Sequence, residues 1–180
     1  MKKSAVTIVL AIALLLGIAY GYWRSQSSRP DVVHKVFGGH ELYAAFHNSR
    51  TATAQRLHWR GDQSLDRGKL NGYAQDAPVP IAAERVQELL ALLHRPSSYD
   101  WGDYTKSCII DYAVLLTFSS GQRVIRVALC FKCNELGIFA GEDNTADSIN
   151  TEADFDPVRE QLLAIVKPIY PNDQEIQGLK

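Results

Sequence analysis

The chain has 180 residues, 46% of them hydrophobic, with 19 Lys and Arg against 20 Asp and Glu and three cysteines. That is apolar material enough for one sizeable core. A net charge of −1 excludes a nucleic-acid-binding face, which needs a basic excess.

Lys2 and Lys3 precede an uncharged apolar run over residues 5–23. As a helix, those residues rise about 28 Å, close to a hydrocarbon core of ~30 Å. Tyr20, Tyr22 and Trp23 stand at the far end, where amphipathic aromatics favour the membrane interface. The run therefore predicts an uncleaved single-pass anchor in the cytoplasmic membrane, with the domain facing the periplasm. A cleaved signal peptide is the competing reading, with Gly17 and Ala19 at −3 and −1 of the cut, and it leaves a secreted or periplasmic domain. Both readings export the rest of the chain. No cysteine lies near position 20, which excludes a lipid-anchored N-terminal cysteine. Arg24, Arg29 and Lys35 follow the run and weaken the positive-inside signal.

The expected organisation is an anchor or signal peptide over 1–23, a linker over 24–33, one domain over 34–172 and a tail over 173–180. Without Lys2 and Lys3 the remainder carries 17 basic and 20 acidic side chains. Residues 24–70 are biased basic and residues 141–180 acidic, a dipolar but ordinary solvated surface. Beyond the polar stretch RSQSSRPD, the segment VVHKVF reads as a short strand, and Gly38-Gly39 breaks it. The following ELYAAF is too short to assign. Residues 51–59 alternate loosely, with Ala52, Ala54, Arg56 and His58 on one side, and predict a strand. Residues 60–80 are rich in Gly, Asp, Asn and Pro and predict loop, the Arg60–Asp62 tripeptide included. Ala82, Val86, Leu89, Leu90 and Leu93 recur at helical spacing between Pro80 and Pro96 and predict a helix over 81–95.

The aromatic and acidic loop 97–104 leads into a predicted hairpin, with arms 108–118 and 123–133 around a turn on Ser120-Gly121. With that turn, Phe118 faces Arg123, Leu116 faces Ile125, Val114 faces Val127 and Tyr112 faces Leu129. That face is apolar and is expected to receive the helices. The other, with Thr117, Leu115, Asp111, Arg126, Cys130 and Lys132, is more polar. A third strand is predicted over Leu136–Phe139 and an exposed acidic loop over 141–154. Asp156 then stands as an N-cap with Pro157 at N1, opening a helix over 157–167 that Pro168 ends.

In this register Cys108 lies opposite Cys133, at a non-hydrogen-bonded site where Cα atoms are about 4.5 Å apart. The pair is a candidate disulfide, suited to an exported domain; three unpaired thiols are the alternative. Cys130 is left as a candidate free thiol on the other face, with the character of a small buried hydrophobe. The spacing Cys130-Phe131-Lys132-Cys133 also admits a thiol-redox reading. Redox motifs of this type, however, sit at the start of a helix, and here another strand follows. Zinc needs four ligands, and none of His34, His40, His47, His58 and His94 stands at ligand spacing. No metal site, cofactor or catalytic residue is therefore expected. Asp100 and Asp103 beside Trp101 and Tyr104 read as a solvated loop. Glu142, Asp143 and Asp147 lack the spacing and glycine of a calcium loop.

Taken together, Leu89–Tyr99, Lys106–Cys108, Leu129–Cys133 and Phe155–Pro171 resemble a loose group of small exported bacterial proteins of unknown function, often predicted lipoproteins. The resemblance covers roughly residues 57–177. It implies a compact domain in a bacterial envelope and brings no catalytic residue; unlike lipoprotein members, this chain has no cysteine after its apolar N-terminus. The expected fold is α+β: a small antiparallel sheet centred on the hairpin, two helices on one face, and an N-terminal transmembrane helix. The expected function is a non-enzymatic binding or interaction module with an envelope protein partner. A thiol-redox or metal-binding accessory protein using Cys130 and Cys133 is the alternative.

Overall fold

A computed structural model of the chain describes residues 30–61, 69–102, 106–141 and 151–180. The predicted span at 5–23 lies outside the described residues, as do Asp103, Tyr104 and most of the acidic loop. Among the described residues no helix is long and apolar enough to cross a membrane.

The fold is α+β. Strands β1 (Thr51–Trp59), β2 (Tyr73–Gln75), β3 (Val79–Pro80), β4 (Val114–Ser120), β5 (Arg123–Cys130), β6 (Glu135–Gly141) and β7 (Thr151–Asp154) form one antiparallel sheet. Its order is β2-β1-β4-β5-β6-β7, and β3 pairs with β1 beside β2. Helices α1 (Pro30–Val36), α2 (His40–His47), α3 (Ala83–Leu93), α4 (Arg159–Val166) and α5 (Gln174–Gly178) complete it.

The central hairpin turns on Gly121-Gln122, because Ser120 pairs with Arg123. Gly121 has φ +63°, and a two-residue turn with positive φ at its first position selects glycine there. Every cross-strand partner therefore moves by two from the expected pairing: Phe118 faces Ile125, Leu116 faces Val127 and Val114 faces Leu129. An even shift leaves the two faces unchanged. The apolar one carries Val114, Leu116, Phe118, Ile125, Val127 and Leu129, all fully buried.

Tyr112 departs from that alternation. Ala113 N–H donates to the Leu129 carbonyl at 2.8 Å while Val114 pairs with the same residue, the two-against-one count of a β-bulge. The extra residue sends Tyr112 to the opposite face, where it joins Leu57, Leu70, Tyr73, Leu115, Cys130 and Phe139 in a second, smaller core. The face expected to be polar is thus partly covered as well.

The main core joins the apolar sheet face to five helices, α1 to α5, where two were expected, with Ile176 as the contribution of α5. The segment VVHKVF is helical, not a strand. Val33, Val36 and Phe37 are buried while Lys35 is exposed, an i, i+3, i+4 pattern that suits a helix on a core. Gly38 and Gly39, with φ of +74° and +122°, end it. In α2, Phe46 stacks on Phe37 at 4.2 Å and meets Phe118 edge-on at 4.9 Å, so both helices dock through aromatic contacts. The predicted helix at 81–95 is α3, two residues shorter at each end; Ala82 is its exposed N-cap residue, and Ile81 is buried instead. The second predicted helix is a 3₁₀ turn at Asp156–Val158 running into α4, which Pro168 ends at Val166. Asp156 does not cap it, because its carboxylate is held by Lys106 and Asn134.

Residues 173–180 are packed, not a free tail. Asp173 caps α5 by accepting from Ile176 N–H at 3.0 Å, and Ile176 is fully buried. Residues 151–154, expected as loop, form the edge strand β7 on β6.

Candidate functional site

Arg56 stands on the helix-covered face of β1, paired with Val114. Its residue is 3% exposed, and its guanidinium works as a hub. Nε donates to Asp173 at 2.8 Å, Nη2 to Glu175 at 2.5 Å, and Nη1 to the Leu57 and Ala113 carbonyls at 2.7 and 2.8 Å. The Ala113 carbonyl is turned within reach by the bulge. A buried charge needs this degree of pairing to be tolerable. Burial opposes the Asp173 charge, but the backbone N–H groups of α5 and Arg56 outweigh it and hold the carboxyl below its usual range.

Beside this hub lies a cleft of about 270 Å³ between the end of β1, the 111–113 lead-in and α5. Its floor is Arg56, Leu57 and Tyr112, and its rim carries Trp59, Glu175 and Lys132. Lys132 Nζ donates to Asp111 at 2.6 Å; that hydrogen bond holds the ammonium pKa above its ordinary value. The cleft thus joins an aromatic wall to charged groups of both signs, a combination that orients a small polar ligand or a protruding side chain.

A second polar cluster lies at the disulfide. Cys108 and Cys133 are bonded, with Cα atoms 5.7 Å apart. Cys133 is in the turn between β5 and β6, and Cys108 is in the extended lead-in before β4. The bridge therefore ties turn to lead-in and does not close the mouth of the hairpin, because β5 ends at Cys130, which pairs with Glu135. Lys106 fixes the same junction, donating to the Cys133 carbonyl at 2.8 Å and to Asp156 at 2.7 Å, and pairing with Asp154. Burial works against the Lys106 charge, but Asp154 and Asp156 outweigh it and raise its pKa. Asp156 is held low against burial by Lys106, Asn134 and Asp154, whereas for Asp154 burial wins and its pKa rises.

Cys130 is free and fully buried. Its sulfur accepts from Asp111 N–H at 3.3 Å. With Cys133 already bonded, Cys130 and Cys133 do not form a redox pair in this structure. Asp100 is spent on the loop itself, its carboxylate accepting from Gly102 N–H at 2.9 Å. Glu142, Asp143 and Asp147 lie outside the described residues.

No spacing along the chain groups the histidines, yet four of the five meet around Tyr43. His34 lies 4.2 Å from the Tyr43 ring and 4.0 Å from His40. On the other side His94 lies 5.1 Å from Tyr43, and His47 lies 5.0 Å from His94. Tyr43 Oη contacts both ring nitrogens of His94, Nε2 at 2.9 Å. Positions 40, 43 and 47 share one face of α2 at i, i+3 and i+7, which is the only part of the cluster that periodicity carries. Among the described residues no group of three or more His, Cys, Asp or Glu is arranged to hold a metal ion.

No protein-family model, curated protein or solved structure matches the chain.

Proposed function

We propose that the chain is a binding module of the bacterial cell envelope, anchored in the cytoplasmic membrane by residues 5–23 and facing the periplasm, with the cleft beside Arg56 as its contact site. The cleft carries the reading. It is open, it places Trp59 beside the Lys132–Asp111 and Arg56–Glu175 ion pairs, and its walls are held rigid from three directions by the Arg56 hub. Export is supported by the Cys108–Cys133 bridge, since such bonds persist in oxidising compartments, and by the resemblance to exported bacterial proteins.

The test is site-specific photo-crosslinking in native membranes. A photoreactive residue at position 132, on the rim, is expected to give a discrete adduct that the same residue at position 85, on the exposed side of α3, does not. Identical patterns from both positions, or no adduct from position 132, would sink the cleft as contact site. Sequencing the N-terminus of the mature protein separates the anchor from a cleaved signal peptide.

A further inference from the structure

We infer that the cleft beside Arg56 takes a neutral sugar ring, with its C–H groups on Trp59 and its hydroxyls on Arg56, Lys132 and Glu175. The inference rests on the cleft being the contact site and names the class of ligand held there.

The charges lining the cleft cancel. Arg56 and Lys132 stand against Asp111 and Glu175, and each is already in an ion pair, Arg56 with Glu175 and Lys132 with Asp111. An ionic ligand would bring a charge with no counter-charge left to meet it, and a charge taken out of water unpaired is costly. What stays open in the cleft are single hydrogen-bond positions. A guanidinium has five N–H donors, and four of those on Arg56 are used. The fifth, on Nη2, meets no acceptor among the described residues, on a side chain that is 4% exposed and lines the cleft. A buried donor of this kind gains a full hydrogen bond from an incoming oxygen. The Lys132 ammonium has three N–H groups and gives one to Asp111. Glu175 accepts from Arg56 on Oε2, which leaves Oε1 as an acceptor on the exposed rim. A hydroxyl both donates and accepts, so a ring carrying several of them satisfies this set without bringing a charge.

Trp59 supplies the apolar wall. It is half-buried, and its ring is held against Tyr73 at 5.2 Å. The face of an aromatic ring is electron-rich, and the C–H groups of a sugar, polarised by the neighbouring oxygens, pack against it. The volume of about 270 Å³ lies just under the usual range of small-molecule sites, about 300–1,000 Å³, so the cleft has room for one ring.

The experiment is NMR titration of the full chain in phospholipid nanodiscs, which avoid glycoside detergents. The probes are methyl α-glucoside and N-acetylglucosamine, with glucuronate and glucosamine as the same ring carrying a negative or a positive charge. Both neutral sugars are expected to shift the Trp59 indole N–H saturably, and the charged rings to bind roughly tenfold more weakly or not at all. Lys132→Ala and Glu175→Ala, both at exposed positions, should each weaken neutral binding by roughly tenfold, while Arg85→Ala on α3 leaves it unchanged. No binding of either neutral sugar, binding that leaves Trp59 unmoved, a charged ring bound as tightly as a neutral one, or full affinity in both rim variants would overturn the assignment. If a photoreactive residue at position 132 gives its discrete adduct while neither neutral sugar binds, the sugar falls and the cleft stands as contact site. If that adduct is missing, the cleft itself falls.

Discussion

Arg56→Met is the most informative perturbation of this fold. Methionine has a similar reach and no charge, so it removes the guanidinium with little change of volume. Four hydrogen bonds go with it, two to carboxylates and two to carbonyls. The Asp173 side chain is 22% exposed, so its charge is left mostly buried without a cation; breaking one side of a fully buried pair costs about 3–5 kcal/mol. Glu175 is 61% exposed, and its share is at most about 1 kcal/mol. The Ala113 carbonyl keeps a bond from Leu57 N–H, which softens that loss. A total of about 3–4 kcal/mol follows, equivalent to a fall of roughly 1–4 M in the urea midpoint for typical slopes. Equilibrium unfolding in urea reads it directly. Adding Asp173→Asn should recover part of the loss, because the orphaned charge disappears, with a coupling energy of about 0.5–3 kcal/mol. A cost below about 1 kcal/mol for Arg56→Met, or strict additivity in the double variant, would refute the account of Arg56 as a buried hub.

Three further outcomes are expected. The bridge closes a loop of 25 residues, so Cys108→Ala should lower stability by about 3.5 kcal/mol on the chain-entropy estimate, and an unchanged midpoint would remove the bridge from the stability account. Asp173 and Asp156 are held below the ordinary carboxylate range, so their stabilisation is complete above about pH 4 and is lost as pH falls through their folded pKa values. Unfolding free energy measured from pH 5 downward should therefore decline, and Asp173→Asn should flatten the decline; an unaltered slope contradicts the assignment. A Cβ on Gly137 would lie 2.4 Å from Tyr112 Oη, and Tyr112 is 1% exposed. Gly137→Ala should thus cost about 1–3 kcal/mol by overpacking, and Tyr112→Phe should relieve much of that cost in the double variant as seen by thermal unfolding.

Much of the framework was legible because it rests on local regularities. Alternation marked β1 and the hairpin arms, the 3.6-residue period marked α3 and α4, and prolines set their ends. The faces of the hairpin were readable despite the wrong turn, since an error of two residues preserves side-chain parity. Where local signals were short, they misled. VVHKVF is rich in β-branched residues and reads as a strand, yet packing of Val33, Val36 and Phe37 onto the core makes it helical. The C-terminal residues look polar, and only the long-range pairing of Asp173 and Glu175 with Arg56 gives them a place.

By itself, then, the sequence determined the class of fold, helices α3 and α4 and the alternating faces of the sheet, because each depends on neighbours within a few residues. The tertiary structure alone decided what depends on residues far apart in the chain. The bulge at Ala113 moved Tyr112 across the sheet and set its hydroxyl over Gly137. Pairings 117 and 119 residues apart turned an arginine on a strand into the centre of the cleft. Histidines at 34, 40, 47 and 94 met at one tyrosine because α1, α2 and α3 share the same face of the sheet. None of these groupings has a period, so only packing brings them together.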